Sequence, residues 1–184
     1  MRIVAGTARG RPLEGPKDSR TIRPTADRVR ETLFNVLGQW MEGETVLDLY
    51  AGTGALALEA LSRGAPHAVL VDQDREAVRL CRANAEALGF AGQVEVMNAP
   101  VERALEQLGR AGRRFALVFA DPPYAVRGVL GILEQVERAA VLAPGGRLCI
   151  EHDKREEAPD SIGPLTRVDQ RAFGDTRVSL YASA

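Results

Sequence analysis

The chain has 184 residues, 45% hydrophobic and 27% charged, which fits one globular domain and excludes a disordered or fibrous chain. No apolar run approaches the roughly 18–20 residues of a membrane span, and no apolar leader opens the chain. The net charge of −1 is uneven: residues 1–30 hold eight Arg or Lys against three acids, so the remainder is acidic.

Two cysteines, Cys81 and Cys149, make neither a disulfide framework nor a metal cluster, and two histidines exclude a His-rich metal site. A reducing cytoplasm is the expected compartment, with no membrane and no metal. The basic leader points to a polyanionic partner met by one edge of the protein. Its arginines (Arg2, Arg9, Arg11, Arg20, Arg23, Arg30) are candidate phosphate contacts, since guanidinium forks suit phosphate. The alternative is a solvated arm with incidental charge.

Residues 1–24, rich in Arg, Gly and Pro, read as a small hairpin and loop. Pro24 precedes a helix with Thr25 as N-cap, Asp27 in the first turn, and Val29, Leu33, Val36, Leu37 and Trp40 on one stripe. Thr45–Leu49 is a strand, 55–63 a helix ended by Gly64, Ala68–Val71 a strand, and Arg75–Leu88 a helix ended by Gly89. Gln93–Met97 is a strand and 100–110 a helix. Phe115–Ala120, continuously apolar, suits a central parallel strand. Residues 127–142 are helical and Arg147–Ile150 a strand. The tail changes rhythm: Leu165–Ala172, a Gly174-Asp175 turn, and Arg177–Tyr181 form an antiparallel hairpin. Alternating strands and helices give an α/β fold, a mostly parallel sheet with helices on both faces.

Asp48-Leu49-Tyr50-Ala51-Gly52-Thr53-Gly54 is a glycine turn between strand and helix. Such turns let a backbone approach a ligand, and helix N-terminal N–H groups favour a negative group there. Gly52-x-Gly54-x-x-Ala57 meets the loose dinucleotide pattern. Asp72, at the end of the second strand, is placed to accept from ribose hydroxyls, with Asp74 the competing acid. Asp48 discriminates: a carboxylate repels pyrophosphate but welcomes the ammonium and sulfonium of S-adenosylmethionine. Asn98, followed by Ala99, is placed to accept from an adenine amino group, to cap the next helix, or to do both, since the two roles are compatible.

Asp121-Pro122-Pro123-Tyr124 follows the central strand at the carboxyl edge of the sheet, where open α/β sheets bind ligands. Two prolines remove two N–H donors, leaving the Asp121 carboxylate and the Pro122 carbonyl as acceptors. These suit an exocyclic base amine, with Tyr124 stacking on the ring. The lone pair of such an amine is conjugated and weakly nucleophilic, so acceptors aimed at a tetrahedral nitrogen favour attack on a methyl donor. A base reaches this edge only when flipped out or single-stranded.

Residues 23–37 (RPTADRVRETLFNVL), 47–65 (LDLYAGTGALALEALSRGA), 71–74 (VDQD) and 121–124 (DPPY) resemble the bacterial 16S ribosomal RNA guanine-N2 methyltransferases of the RsmD type. The likeness spans nearly the whole chain. It implies a seven-stranded Rossmann-like class I methyltransferase domain over 25–184 behind an RNA-facing arm over 1–24. It further implies S-adenosylmethionine as donor and a guanine in a loop of 16S RNA as acceptor. Separately, the small size of the chain leads us to expect a target within an assembling 30S subunit, and a monomer is the default. It carries cofactor roles onto Asp48, Gly52, Gly54, Asp72 and Asn98, with Ala51 and Ala99 beside them. Catalytic roles fall on Asp121 and Tyr124, with Pro122 beside them. Thr25 and Asn35 lie near the cofactor's amino-acid end in related enzymes, and some members have Phe at the position of Tyr124. Two other readings stay open: an adenine-N6 methyltransferase and a nicotinamide-dependent oxidoreductase. Cys81 and Cys149 are read as packed thiols, and His67 and His152 as surface or strand-edge residues. Glu151-His152-Asp153 reads as a strand exit and Lys154–Glu157 as a solvated loop.

Overall fold

A computed structural model describes residues 1–16, 24–38, 41–123 and 128–184. In chain order the elements are α1 (Pro24–Leu37), β1 (Thr45–Leu49), α2 (Ala55–Ser62), β2 (His67–Asp72), α3 (Arg75–Leu88), β3 (Val94–Asn98) and α4 (Val101–Arg110). β4 (Phe115–Ala120), α5 (Val129–Ala139), β5 (Leu142–Asp153), β6 (Ser161–Ile162), β7 (Leu165–Phe173) and β8 (Thr176–Ser183) follow. They form one sheet in the order β3-β2-β1-β4-β5-β8-β7-β6. β3 through β5 pair in parallel, and β8, β7 and β6 add antiparallel strands.

The seven expected strands are present. An eighth, β6, is only two residues long and pairs at the edge with β7, too short to leave a periodic signal. Helix α1 starts at Pro24, one residue before the expected N-cap Thr25, because proline at the first helical position needs no N–H partner. Helix α5 is shorter than 127–142: it begins after Gly128 and stops at Ala140, which takes a left-handed conformation at φ 49°. β5 reaches back to Leu142 and on to Asp153, since its Pro-Gly-Gly stretch is absorbed where the β4 register shifts.

Two apolar layers cover the sheet. One holds α1, α2 and α3 over Val46, Leu70, Leu117 and Phe119. The other holds α4 and α5 over Leu47, Val69, Val118 and Ile150. β4 faces a layer on each side, hence its unbroken apolar sequence. α4 shows how spacing makes the layer: Val101, Ala104, Leu105 and Leu108 are its buried residues and share one stripe. Near their ends α4 and α5 meet backbone to backbone: a Cβ on Gly109 would lie 2.4 Å from the Ala139 carbonyl oxygen.

The leader is part of this packing. Arg2 bridges Pro12, and Ile3, Ala8 and Leu13 are buried with the α1–α3 layer. The fully buried Glu59 carboxylate accepts from the Val4 and Ala5 N–H groups at 2.8 and 2.9 Å. Arg63, at 2.9 Å, and Arg30, at 3.5 Å, neutralise it. The Arg63 guanidinium also lies 4.5 Å above the Phe34 ring.

Candidate active site

The glycine turn leaves β1 at the carboxyl edge, and hydrogen bonds from its neighbours hold it. Asp72 Oδ2 accepts from Gly52 N–H at 2.9 Å, and Oδ1 from Asp74 N–H at 2.9 Å. Ala51 N–H donates to the Val71 carbonyl at 3.0 Å, tying the turn to β2. Asn84, buried on α3, donates to the Thr53 carbonyl at 3.0 Å and exchanges two bonds with the Glu14 backbone. Gly54, at φ 78°, opens α2, and a Cβ there would meet Leu70 Cδ2 at 2.8 Å. Gly52, at φ 57°, has open space on the Cβ side and so leaves its backbone approachable.

Asp48 is buried beneath the turn, and its Oδ2 accepts from Ala57 N–H at 3.1 Å, capping α2 from β1. Burial pushes its carboxyl up to about 8, with Asp121 and Asp72 adding repulsion. Asp121 opens toward the cleft, while the protein around it desolvates its carboxyl and raises it as well. Three acidic side chains round one turn favour a cation, which draws out their ionised forms, and disfavour a pyrophosphate.

The strand register brings the two sequence motifs together. Leu49 pairs with Ala120, so the glycine turn and Asp121-Pro122-Pro123 leave neighbouring strand ends at the same level. A cleft of about 460 Å³ opens there, lined among others by Tyr50, Asp72, Asp121, Pro122 and Pro123. That volume suits a nucleoside-sized ligand. Of the expected cofactor residues Asp72 lines this cleft, whereas Asp48, Ala51, Gly52, Gly54, Asn98 and Ala99 do not.

Both competing acids line the cleft: Asp74 caps α3, accepting from the Glu76 and Ala77 N–H groups, and Asp72 supports the glycine turn. Asn98 is not the cap of α4, which is Pro100; its amide donates to the Asp72 and Gln73 carbonyls, so Oδ1 is the atom left to accept. Ala99 N–H donates to the Asp72 carbonyl. Tyr124, Arg20 and Arg23, and the side chain of Thr25, lie outside the described residues, as does Trp40. Asn35 is exposed on α1.

Arg2 and Arg9 are exposed. Arg30 is not a surface phosphate contact: it is 4% exposed, paired with Glu59, and donates to the Arg2 carbonyl, because α1 turns it inward. Arg11 is spent at the end of α3, where it donates to the Ala87 and Leu88 carbonyls. His152 stands near the end of β5 but is buried rather than at the surface, with Nδ1 on the Asp153 carbonyl and Nε2 on Ser179 Oγ at 2.9 Å. Lys154–Glu157 is a loop with Lys154, Arg155 and Glu157 exposed, as expected, while Glu156 is half-buried, accepts from the Val129 N–H and caps α5. Cys81 and Cys149 are buried free thiols, and burial raises both.

Two residues escaped the sequence reading, Tyr50 at the cleft and Glu59 in the packing beneath the leader. Tyr50 takes a left-handed conformation at φ 61°, and its hydroxyl is buried with no hydrogen-bond partner. Burial pushes that phenol up to about 12. Glu59 left a signal in the Glu59–Arg63 helical spacing, but its depth was invisible.

The parallel sheet closed by antiparallel strands is the Rossmann-like fold of class I S-adenosylmethionine-dependent methyltransferases. A solved structure described as the putative methyltransferase yhhF from Escherichia coli shares it, with TM-score 0.86 and 35% identity over all of this chain and 97% of that one. The chain is also 45% identical to ribosomal RNA small subunit methyltransferase D of Escherichia coli K12, over 98% of this chain and 89% of the relative. It is 34% identical to the putative rRNA methyltransferase YlbH of Bacillus subtilis, over 98% of both. The model of the family described as conserved hypothetical protein 95 matches residues 1–182, and the chain belongs to that family, the one of the RsmD-type methyltransferases.

Proposed function

We propose that this protein methylates the exocyclic N2 amine of a guanine in a loop of small-subunit (16S) ribosomal RNA, with S-adenosylmethionine as methyl donor. The carrying observation is the Leu49–Ala120 register, which sets the glycine turn and Asp121-Pro122-Pro123 side by side on one cleft. The relatives named as ribosomal RNA methyltransferases support the substrate class. The nicotinamide reading loses to the three carboxylates around the turn.

The cofactor fits this chain's residues as follows. Asp48 offers negative charge to its cationic end, Asp72 accepts from its ribose, and Asn98 Oδ1 accepts from its adenine. Gly52 and Gly54 let the backbone pass close. Bound there, it supplies an electrophilic methyl group.

Asp121 and the Pro122 carbonyl hold the two hydrogens of the base amine and favour the pyramidal nitrogen that attacks. Holding the amine in line supplies the proximity advantage. The amine proton becomes acidic once nitrogen carries the methyl. Asp121, its carboxyl raised by desolvation, is placed to accept it and pass it to the open side of the cleft. Tyr124 serves as the stacking face. Residues 1–24 form the RNA-facing arm and 25–184 carry the chemistry, with Arg2, Arg9, Arg20 and Arg23 on phosphates. No helix among the described residues is long and apolar enough to cross a membrane. The protein acts as a monomer in the cytoplasm on an assembling 30S particle.

The test is to incubate the enzyme with unmethylated small subunits and labelled donor, then digest the RNA to nucleosides. N2-methylguanosine is expected. N6-methyladenosine as the product would overturn the guanine assignment.

A further inference from the structure

We propose that the groove between α4 and α5 is a second RNA site, which holds one unpaired nucleotide with its base edge on Gln135 and its phosphates on Arg110, Arg114 and Arg138. This rests on RNA as the substrate and is independent of which base is methylated.

Gln135 carries the argument. It stands on the buried side of α5, 9% exposed, and among the described residues neither its amide oxygen nor its amide nitrogen has a hydrogen-bond partner. An orphaned buried amide destabilises a fold, and an apolar side chain of the same shape would pack there without that penalty. The residue lines a groove of about 590 Å³, larger than the cleft at the carboxyl edge, at about 460 Å³. Gly109 and Ala139, where α4 and α5 meet backbone to backbone, line it as well. A carboxamide sets an acceptor beside two donors. A base edge, with its own donor and acceptor side by side, is the complementary pattern.

Charge narrows the ligand further. Arg110 ends α4, Arg114 immediately precedes β4, and Arg138 lies in the last turn of α5, so three guanidinium groups gather at the amino edge of the sheet. Glu102 and Glu106, earlier on α4, also line the groove, leaving three cations against two acids. Arg110 and Glu106 approach only to 3.7 Å with both side chains well exposed, a weak pair that a phosphate can displace. The helix dipoles account for Arg110 and Arg138, but not for Arg114 or the orphaned amide. An unpaired nucleotide satisfies both kinds of group at once. The RNA substrate already brings such strands to the protein, which favours it over an acidic peptide. The leader packs with the α1–α3 layer and this groove lies in the α4–α5 layer, with the cleft at the edge between them. RNA folded around that edge meets all three.

The test reads binding rather than turnover. Fluorescence anisotropy of the full chain with a short, labelled single-stranded RNA of mixed sequence is set beside calorimetry with inorganic tripolyphosphate. R114E/R138E, which changes two exposed residues, is expected to weaken RNA binding at least about tenfold and to flatten its salt dependence. Q135L is expected to weaken RNA binding about fivefold or more, leave the tripolyphosphate Kd unchanged and raise Tm by about 2–4 °C, because leucine removes two unpaired buried atoms. A merely structural Gln135 would give the higher Tm without the loss of RNA. RNA affinity within about twofold of wild type in either variant would overturn the proposal, as would an oligoglutamate peptide bound as tightly as the RNA. R114E/R138E decides even where Q135L fails to fold. Wild-type enzyme that methylates no small-subunit RNA would overturn the RNA reading and this inference with it, whereas the variant results overturn the inference alone.

Discussion

Asp72 accepts from Gly52 N–H through one oxygen and from Asp74 N–H through the other, so one carboxylate shapes both the glycine turn and the start of α3. Asp72→Ala is expected to raise the cofactor Kd about ten- to a hundredfold, equivalent to ~1–3 kcal/mol for the lost charge-assisted bonds. Asp74→Ala removes a helix cap, costing about 1 kcal/mol of stability and leaving cofactor affinity nearly unchanged. Titration calorimetry and thermal melts on both variants check this. An Asp72→Ala Kd within twofold of wild type would refute the assignment.

Asp48 predicts a pH signature. Burial lifts its carboxyl from 3.8 to about 8, so its contribution to folding is fully present below pH 4 and is lost as pH rises through about 8. A cationic ligand favours the ionised form. Cofactor affinity is therefore expected to climb close to tenfold per pH unit from pH 6 toward 8, with proton release on binding. Calorimetry in buffers of different ionisation enthalpy measures the protons directly. No proton release at pH 7 would mean that Asp48 does not meet the cation.

Glu59 is the buried junction of leader, α1 and α2. Glu59→Ala leaves Arg30 and Arg63 inside without their carboxylate and is expected to cost about 3–5 kcal/mol. Urea midpoints give the value. A loss below about 1 kcal/mol would show that water replaces the carboxylate.

Gly109 marks the closest approach of α4 and α5. Gly109→Ala places a methyl 2.4 Å from the Ala139 carbonyl oxygen, a backbone atom unable to swing aside. A destabilisation of about 1–3 kcal/mol is expected despite the better helix propensity of alanine. Gly92→Ala, with nothing within 4 Å, should stay within about 0.5 kcal/mol. Equal melting temperatures for the two variants would contradict the contact.

Much of this molecule could be read without coordinates. β1, α3 and β4 fall on the expected residues because the two strands are short apolar runs and α3 carries a helical stripe closed by Gly89. Arg30 and Glu59 were opaque for a physical reason: charged side chains read as exposed until a partner from a distant segment neutralises them. His152 escaped in the same way, since its partner Ser179 comes from β8. Asp48 was legible as a carboxylate near a cation, but its second duty, capping α2, depends on the turn folding back over it.

Asn84 fastens the Glu14 backbone on one side and the Thr53 carbonyl on the other. The two segments are therefore held as a pair. A chimaera that exchanged residues 1–16 for those of a relative, without matching position 84, would disturb a turn it was never meant to touch.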